Sequence, residues 1–311
     1  MMNDEQCSGT VLMVRPAAFG FNPEAARSNA FASADGGGET APVALAEFDG
    51  LATALDAAGI EVLVLEDTAE PPKPDAVFPN NWVSFHADGT MVLYPMATAP
   101  RRPERRSEEV EDLLRANGLD VRRTVDLSAH EGQGHYLEGT GSLILDRPLH
   151  RGFAAVGPRT SIEALEAWHK ATGAEIVAFD CADRSGRPIY HTNVLLSLGE
   201  RFAIVCSEAI VADDRVRVLA AIESGGREII DVDFGQMERF ACNLIQLRGA
   251  KGPVIALSQT ALDRLRPDQR GTLELHGALV AAAIPTIERV GGGSVRCTIA
   301  DVHLPQIAPA P

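Results

Sequence analysis

The sequence predicts an α/β protein built as a closed array of five repeated units, each running strand–strand–helix–strand. Three observations predict it. The same order of apolar runs and amphipathic stretches recurs five times; the first cycle is one strand short while a lone strand is left over at the C-terminal end; and a polar residue recurs at one place in every cycle. An array whose last strand completes its first unit closes on itself.

Taken in order, Val11 to Val14 reads as a strand, Pro42 to Ala58 as a helix and Ile60 to Leu65 as a strand. The second cycle has strands Trp82 to Phe85 and Met91 to Tyr94 joined by Ala87-Asp88-Gly89, a hairpin turn in which glycine supplies the positive φ. A helix from Ser107 to Ala116 carries Val110, Leu113 and Leu114 on one face, ends before Gly118, and leads to a strand near Val121. The third cycle is Ser142 to Leu145, Phe153 to Val156, a helix from Ser161 to Ala171 that opens in capping-box form, and Glu175 to Phe179. The fourth is Thr192 to Ser197, Phe202 to Val205, a helix from Glu208 to Glu223 and Glu228 to Val232. The fifth is Asn243 to Leu247, Val254 to Leu257, a helix within Asp268 to Ala282 and a strand from Pro285 to Val290, after which Val295 to Ala300 remains as the closing strand.

With 311 residues, 45% hydrophobic and 23% charged, the chain is expected to form one catalytic domain over 1–311, with 1–10 flexible and 305–311 a tail. A net charge of -15 opposes nucleic acid and anionic membranes as partners, since both need a positive field. No apolar run is long enough to span a bilayer, so a cytoplasmic location is expected. Cys7, Cys181, Cys206, Cys242 and Cys297 form no CxxC pair, which suggests neither a zinc site nor a disulfide framework, and no metal or cofactor is expected. His130 and His135 are five apart where a zinc-protease helix needs four.

Asn81, Glu138, His191, Asn243 and Cys297 stand at or near the start of the first strand of their cycles, at spacings of 57, 53, 52 and 54 residues. Equivalent positions in a closed array face a shared axis, so a carboxylate, an imidazole, two amides and a thiol should converge. Cys297, delivered by Gly291-Gly292-Gly293, is the candidate nucleophile. A free thiol of pKa ~8.5 is mostly protonated at neutral pH, and an adjacent histidine is the usual means of activating it. Asp75 lies in a proline-stiffened loop, Pro72 to Trp82, suited to presenting acceptors. The polar, glycine-rich stretch from Ser28 to Thr40 is long enough to form a lid.

Five motifs in order carry a resemblance. They are Met13-Val14-Arg15-Pro16 with Phe21-Asn22 and Asn29, Asp75 to Trp82, Leu137-Glu138-Gly139-Thr140-Gly141-Ser142, His191-Thr192-Asn193-Val194-Leu195, and the glycine-rich Cys297 segment. The chain resembles the guanidino-group modifying enzymes of the amidinotransferase and arginine deiminase superfamily, the penteins, and within it the citrulline-utilisation hydrolase group. The resemblance implies a five-bladed α/β propeller of ββαβ units with pseudo-fivefold symmetry, closed by the C-terminal strand.

It also implies roles. Cys297 would attack a guanidino or ureido carbon, His191 would shuttle protons, Glu138 and Asp75 would hold substrate nitrogens with Asn81, Asn193 and Asn243 around them, and Arg15 would recognise a substrate carboxylate. Many arginine-processing members of the family the chain resembles carry aspartate two residues after the histidine. Asn193 stands there instead and suits a neutral ureido group better than a buried cation. The expected reaction is hydrolysis of citrulline to ornithine, carbon dioxide and ammonia through a carbamoyl-cysteine. An arginine or other amidine hydrolase, an amidinotransferase and a non-catalytic binding propeller remain as alternatives, and assembly into a homo-oligomer is left open.

Overall fold

The computed structural model describes residues 5–34 and 39–308. Strand β1 (Thr10–Arg15) crosses over through helix α1 (Thr40–Ala57) to β2 (Glu61–Glu66). The second unit is β3 (Val83–Phe85), β4 (Thr90–Leu93), α2 (Ser107–Ala116) and β5 (Arg123–Asp126), and the third is β6 (Leu143–Asp146), β7 (Arg151–Val156), α3 (Ile162–Thr172) and β8 (Glu175–Asp180). The fourth is β9 (Leu196–Leu198), β10 (Phe202–Val205), α4 (Ala212–Ser224) and β11 (Glu228–Asp231), and the fifth β12 (Ile245–Gly249), β13 (Gly252–Ser258), α5 (Pro267–His276) and β14 (Ala278–Ala282). Finally β15 (Ala300–Val302) returns to pair antiparallel with β1, Thr10 opposite Val302.

Each unit is a separate three-stranded sheet of one design. Its middle strand pairs antiparallel with the first strand and parallel with the third, which the helical crossover makes possible. The first strands of neighbouring units touch, β15 against β3, β6 against β9 and β9 against β12. Helices fill the gaps between sheets. Helix α1 packs on β1 and β2 and also on β14, α2 reaches β2, and α4 reaches β8.

Local chemistry explains where the helices stop. The Ser161 hydroxyl accepts the Ala164 amide at the start of α3, and Gly173, at φ 75°, ends it in the left-handed conformation. No helix among the described residues is long and apolar enough to cross a membrane.

Four expectations are corrected. The third strand of unit five is Ala278–Ala282, not Pro285 to Val290. Its Ala-Leu-Val-Ala-Ala sequence reads as helix by propensity, but parallel pairing with Val254–Ser258 overrides it. The segment Ile287–Gly291 is a π-helical turn instead. The closing strand is Ala300–Val302 rather than Val295 to Ala300, so the two share Ala300 alone. Residues 295–298 form a turn in which the Cys297 and Thr298 amides both donate to Ser294 O.

The N-terminal segment, expected to be flexible, is packed from Cys7 onward, with Cys7 and Ser8 buried and Ser8 Oγ hydrogen-bonded to Thr10 O at 2.9 Å. Of the expected tail, Gln306 bridges Leu119 and the Ile307 amide donates to Gly118 O at 2.7 Å; 309–311 lie outside the described residues. Within the candidate lid, the Asn29 amide donates to Gly292 O at 3.2 Å and the Ser33 amide to Arg289 O at 2.8 Å, while 35–38 lie outside the described residues.

Candidate active site

Five short turns, one ahead of the first strand of each unit, carry the residues that the spacing singled out. Asn81 ends the 3-10 turn Pro79–Asn81, Glu138 caps the helical turn Gly139–Ser142, and His191 caps the 3-10 turn Thr192–Val194. Asn243 precedes β12, and Cys297 lies in the turn before β15. Each following strand is the edge strand of its sheet, and β15 meets β3 while β9 meets both β6 and β12, which brings the turns near one another. All five residues are buried.

The arrangement has two halves. In one, Glu138 Oε2 accepts His191 Nε2 at 2.8 Å and Arg159 Nη1 at 3.2 Å, with Arg101 Nη1 at 3.8 Å, while Oε1 accepts the Ala97 amide at 3.0 Å. In the other, the Cys297 thiol receives the Asn243 amide at 3.3 Å and the Asn193 amide at 3.4 Å. Asp75 Oδ2 accepts Asn22 Nδ2 at 2.7 Å and faces Arg101 Nε at 3.7 Å. Asn81 Oδ1 accepts Arg101 Nη1 at 2.8 Å.

Cys297, His191, Asp75 and Asn81 line one small cavity together with Arg101, Arg159, Tyr190 and Gly291 to Gly293, and its volume is ≈ 20 Å³, room for about one water. Tyr190 also lines a wider cleft of ≈ 1150 Å³ bounded by Phe31 and Phe240.

Arg15 does not line the cavity. Its guanidinium is bidentate on Asp49, at 2.7 and 2.8 Å, and reaches Glu66 at 3.5 Å, so the expected carboxylate fork is already occupied within the fold.

Two residues that the sequence reading did not single out, Arg101 and Arg159, lie in the site. Arg101 is buried, bidentate on Glu104, and joins Asp75, Asn81 and Glu138. Arg159 joins Glu138, Ser28 Oγ and Ala25 O, with its guanidinium over the Tyr190 ring. They follow the second strands of units two and three and stand 58 residues apart, so the period that found the other five could have found them too.

Burial sets the protonation states. It pushes the Cys297 thiol up, partly offset by the Ser294 amide, Asn243 and Asn193. Burial also pulls His191 down to about 4, against the opposing pull of Glu138. For Glu138, burial is outweighed by Arg159, by the hydrogen bond and charge of His191 and by Arg101, which together hold it below the usual carboxylate range. Asp75, with fewer donors, is pushed up by burial, and Glu104 likewise to about 7.

An ionised Glu138 on His191 Nε2 fixes the proton there and leaves the lone pair on Nδ1. Gly141 keeps that nitrogen clear. A Cβ at Gly141 would lie 2.8 Å from His191 Nδ1 and 2.6 Å from Asn81 Nδ2. Gly141→Ala is expected to lower kcat by about a hundredfold while the protein stays folded, as a displaced catalytic group does. Steady-state kinetics beside a thermal melt check it, and an unchanged kcat would show that Nδ1 is not the working nitrogen.

Comparison with known proteins follows the same lines. Residues 15–304 match the family model described as N,N dimethylarginine dimethylhydrolase, eukaryotic. No curated protein sequence matches the chain. Among solved structures, apo ArgZ, an arginine dihydrolase from the ornithine–ammonia cycle in cyanobacteria, aligns with TM-score 0.74 at 18% identity over 96% of this chain. The chain spans 41% of that protein.

The substrate-bound N-terminal domain of ArgZ aligns at TM-score 0.71 and 17% identity, over 95% of this chain and 99% of the domain. A dimethylarginine dimethylaminohydrolase adduct with S-methyl-L-thiocitrulline aligns at TM-score 0.65 and 13% identity, over 94% of this chain and 99% of that one. At such identities the structural likeness shows the α/β fold alone. The family match spans most of the sequence, and on that ground the chain belongs to the eukaryotic N,N-dimethylarginine dimethylhydrolase family and is a hydrolase of non-peptide carbon–nitrogen bonds.

Proposed function

We propose that this protein hydrolyses the ureido group of citrulline, with Cys297 as nucleophile, in the manner of the citrulline-utilisation hydrolases. The observation that carries the reading is the pair of neutral amides on the thiol. Asn193 and Asn243 both donate to Cys297 Sγ, and Asn193 Oδ1 is buried without a hydrogen-bond partner among the described residues, an acceptor suited to a ureido N–H. The carboxylates nearby are already engaged, Glu138 by Arg159 and His191, Asp75 by Asn22.

In the first step the Cys297 proton passes to His191, the sulfur bonds to the ureido carbon, and the carbon–Nδ bond breaks as His191 returns a proton to the departing nitrogen. Ornithine leaves and a carbamoyl-cysteine remains. His191 then takes a proton from water, whose oxygen bonds to the carbamoyl carbon as the carbon–sulfur bond breaks, and the same proton passes from His191 to the departing sulfur, which restores the thiol. The carbamate released decays to carbon dioxide and ammonia.

A neutral substrate does not help ionise the thiol as a guanidinium would, so His191 bears that task. A citrulline side chain exceeds the ≈ 20 Å³ of the cavity, so binding also moves its wall at Tyr190 and Gly291 to Gly293. The reading takes the five units to form one five-bladed α/β propeller, a single catalytic domain acting in the cytoplasm.

A second reading, hydrolysis of arginine or a methylated arginine, is favoured by charge. The buried cluster holds three carboxylates, Asp75, Glu104 and Glu138, against two guanidiniums, Arg101 and Arg159, and the names of the family and of ArgZ are those of arginine-type enzymes. Incubation with citrulline, arginine and dimethylarginine separately, without added metal, distinguishes the two by product. Ornithine and ammonia from citrulline are expected; turnover of arginine or dimethylarginine with citrulline untouched would replace the first reading with the second.

A further inference from the structure

The chain enters the nucleophile's loop through the π-helical turn Ile287–Gly291, a winding that is rare and concentrates at functional sites. Glu288, in that turn, is 4% exposed. Its partners are hydroxyls. Ser294 Oγ donates to Oε1 at 2.7 Å, and the hydroxyls of Ser258 and Thr260 act on the same carboxylate, favouring its charged form against the burial that pushes it up. One charged neighbour acting on it is another carboxylate, Glu47 of helix α1, whose oxygens hold the Thr286 and Ile287 amides just ahead of it. A carboxylate buried among hydroxyls is costly, and an apolar side chain would fill the space without that cost.

What the carboxylate reaches is the loop around the thiol. Glu288 O accepts the Gly292 amide at 2.9 Å, and its side chain holds Ser294. Ser294 O in turn accepts the Cys297 amide at 2.9 Å and the Thr298 amide at 3.3 Å. From the opposite side Asn243 Oδ1 accepts the Arg296 amide at 3.1 Å. The turn bearing Cys297 is therefore clamped between Asn243 and Glu288.

We infer that Glu288 is a positioning residue for the nucleophile, holding Ser294 so that the backbone of the glycine-rich loop stays fixed around the Cys297 thiol. The Ser294 amide is the foremost group offsetting the burial of that thiol, which agrees with this arrangement. The inference rests on Cys297 being the nucleophile, as proposed above.

The test is iodoacetamide alkylation of Cys297 from about pH 6 to about pH 10, read by mass spectrometry of its peptide, beside kcat and KM. Glu288→Ala is expected to move the alkylation midpoint upward and to lower kcat by about tenfold to a hundredfold, with KM changed less than about threefold. Glu288→Gln keeps an acceptor for Ser294 and is expected to restore most of both.

A folded Glu288→Ala protein with the wild-type midpoint and kcat overturns the inference, as does a variant whose only loss is in melting temperature. Should Glu288→Ala not fold, Ser294→Ala carries the same comparison, and an unchanged midpoint there overturns it. Turnover surviving in Cys297→Ser would refute the nucleophile reading instead, and the alkylation midpoints do not depend on that result.

Discussion

Cys297→Ser is expected to abolish turnover on ureido and guanidino substrates alike, by about 10⁴-fold or more, and to leave the fold in place. The change is one atom, sulfur to oxygen, at a buried side chain packed in the cluster that holds Phe19, Phe78 and Val290. The amides of Asn193 and Asn243 that reach the sulfur at 3.4 and 3.3 Å find an acceptor in the hydroxyl too, so the melting temperature should move by only a few degrees.

Chemistry fares differently. A hydroxyl is far harder to ionise than a thiol, and His191, already drawn down to about 4 by burial, is too weak a base to compensate. Mass spectrometry of the Cys297 peptide during turnover should show one carbamoyl group in the wild type and none in the variant. Residual activity above about one per cent would place the covalent bond elsewhere.

The positions that the fold brings together were legible because repetition made them so. Asn81, Glu138, His191, Asn243 and Cys297 share one place in five units, and periodic placement survives even where local structure is misjudged. They were expected at or near the starts of the first strands, and each lies in or beside a short turn ahead of its strand. A turn of three or four residues gives too few apolar positions for a helical period to show.

The errors have physical causes. Ala278–Ala282 is a strand by virtue of its partner Val254–Ser258, and no local pattern encodes a partner. Arg101 was hidden in an Arg-Arg pair that looks solvated. Its burial depends on Glu104, Asp75 and Glu138 arriving from three places in the chain. Arg15 was misjudged for the converse reason, since Asp49 on α1 takes both arms of its fork.

Glu138→Gln is expected to cost both activity and stability, and pH separates the causes. Both carboxylate oxygens face donors, Oε2 toward His191 and Arg159, Oε1 toward the Ala97 amide. Whichever way a glutamine sits, its NH2 meets a donor. Arg159 keeps Ser28 Oγ and Ala25 O but loses its carboxylate, and a buried guanidinium without its counter-charge costs about 3–5 kcal/mol. The proton on His191 is no longer held at Nε2, and a loss of about 10³-fold to 10⁴-fold in kcat follows from the wrong tautomer.

Glu138 has its folded pKa below the unfolded value, so the stability it contributes is fully present above that unfolded value and is lost as the pH falls through the folded one. The gap in unfolding free energy between wild type and variant should therefore be widest near neutral pH and narrow as the medium is taken below about pH 4.5. Urea unfolding of both proteins at neutral and at acid pH measures it. A gap that stays constant would mean that shape, rather than the charge shared with Arg159 and His191, is what Glu138 supplies.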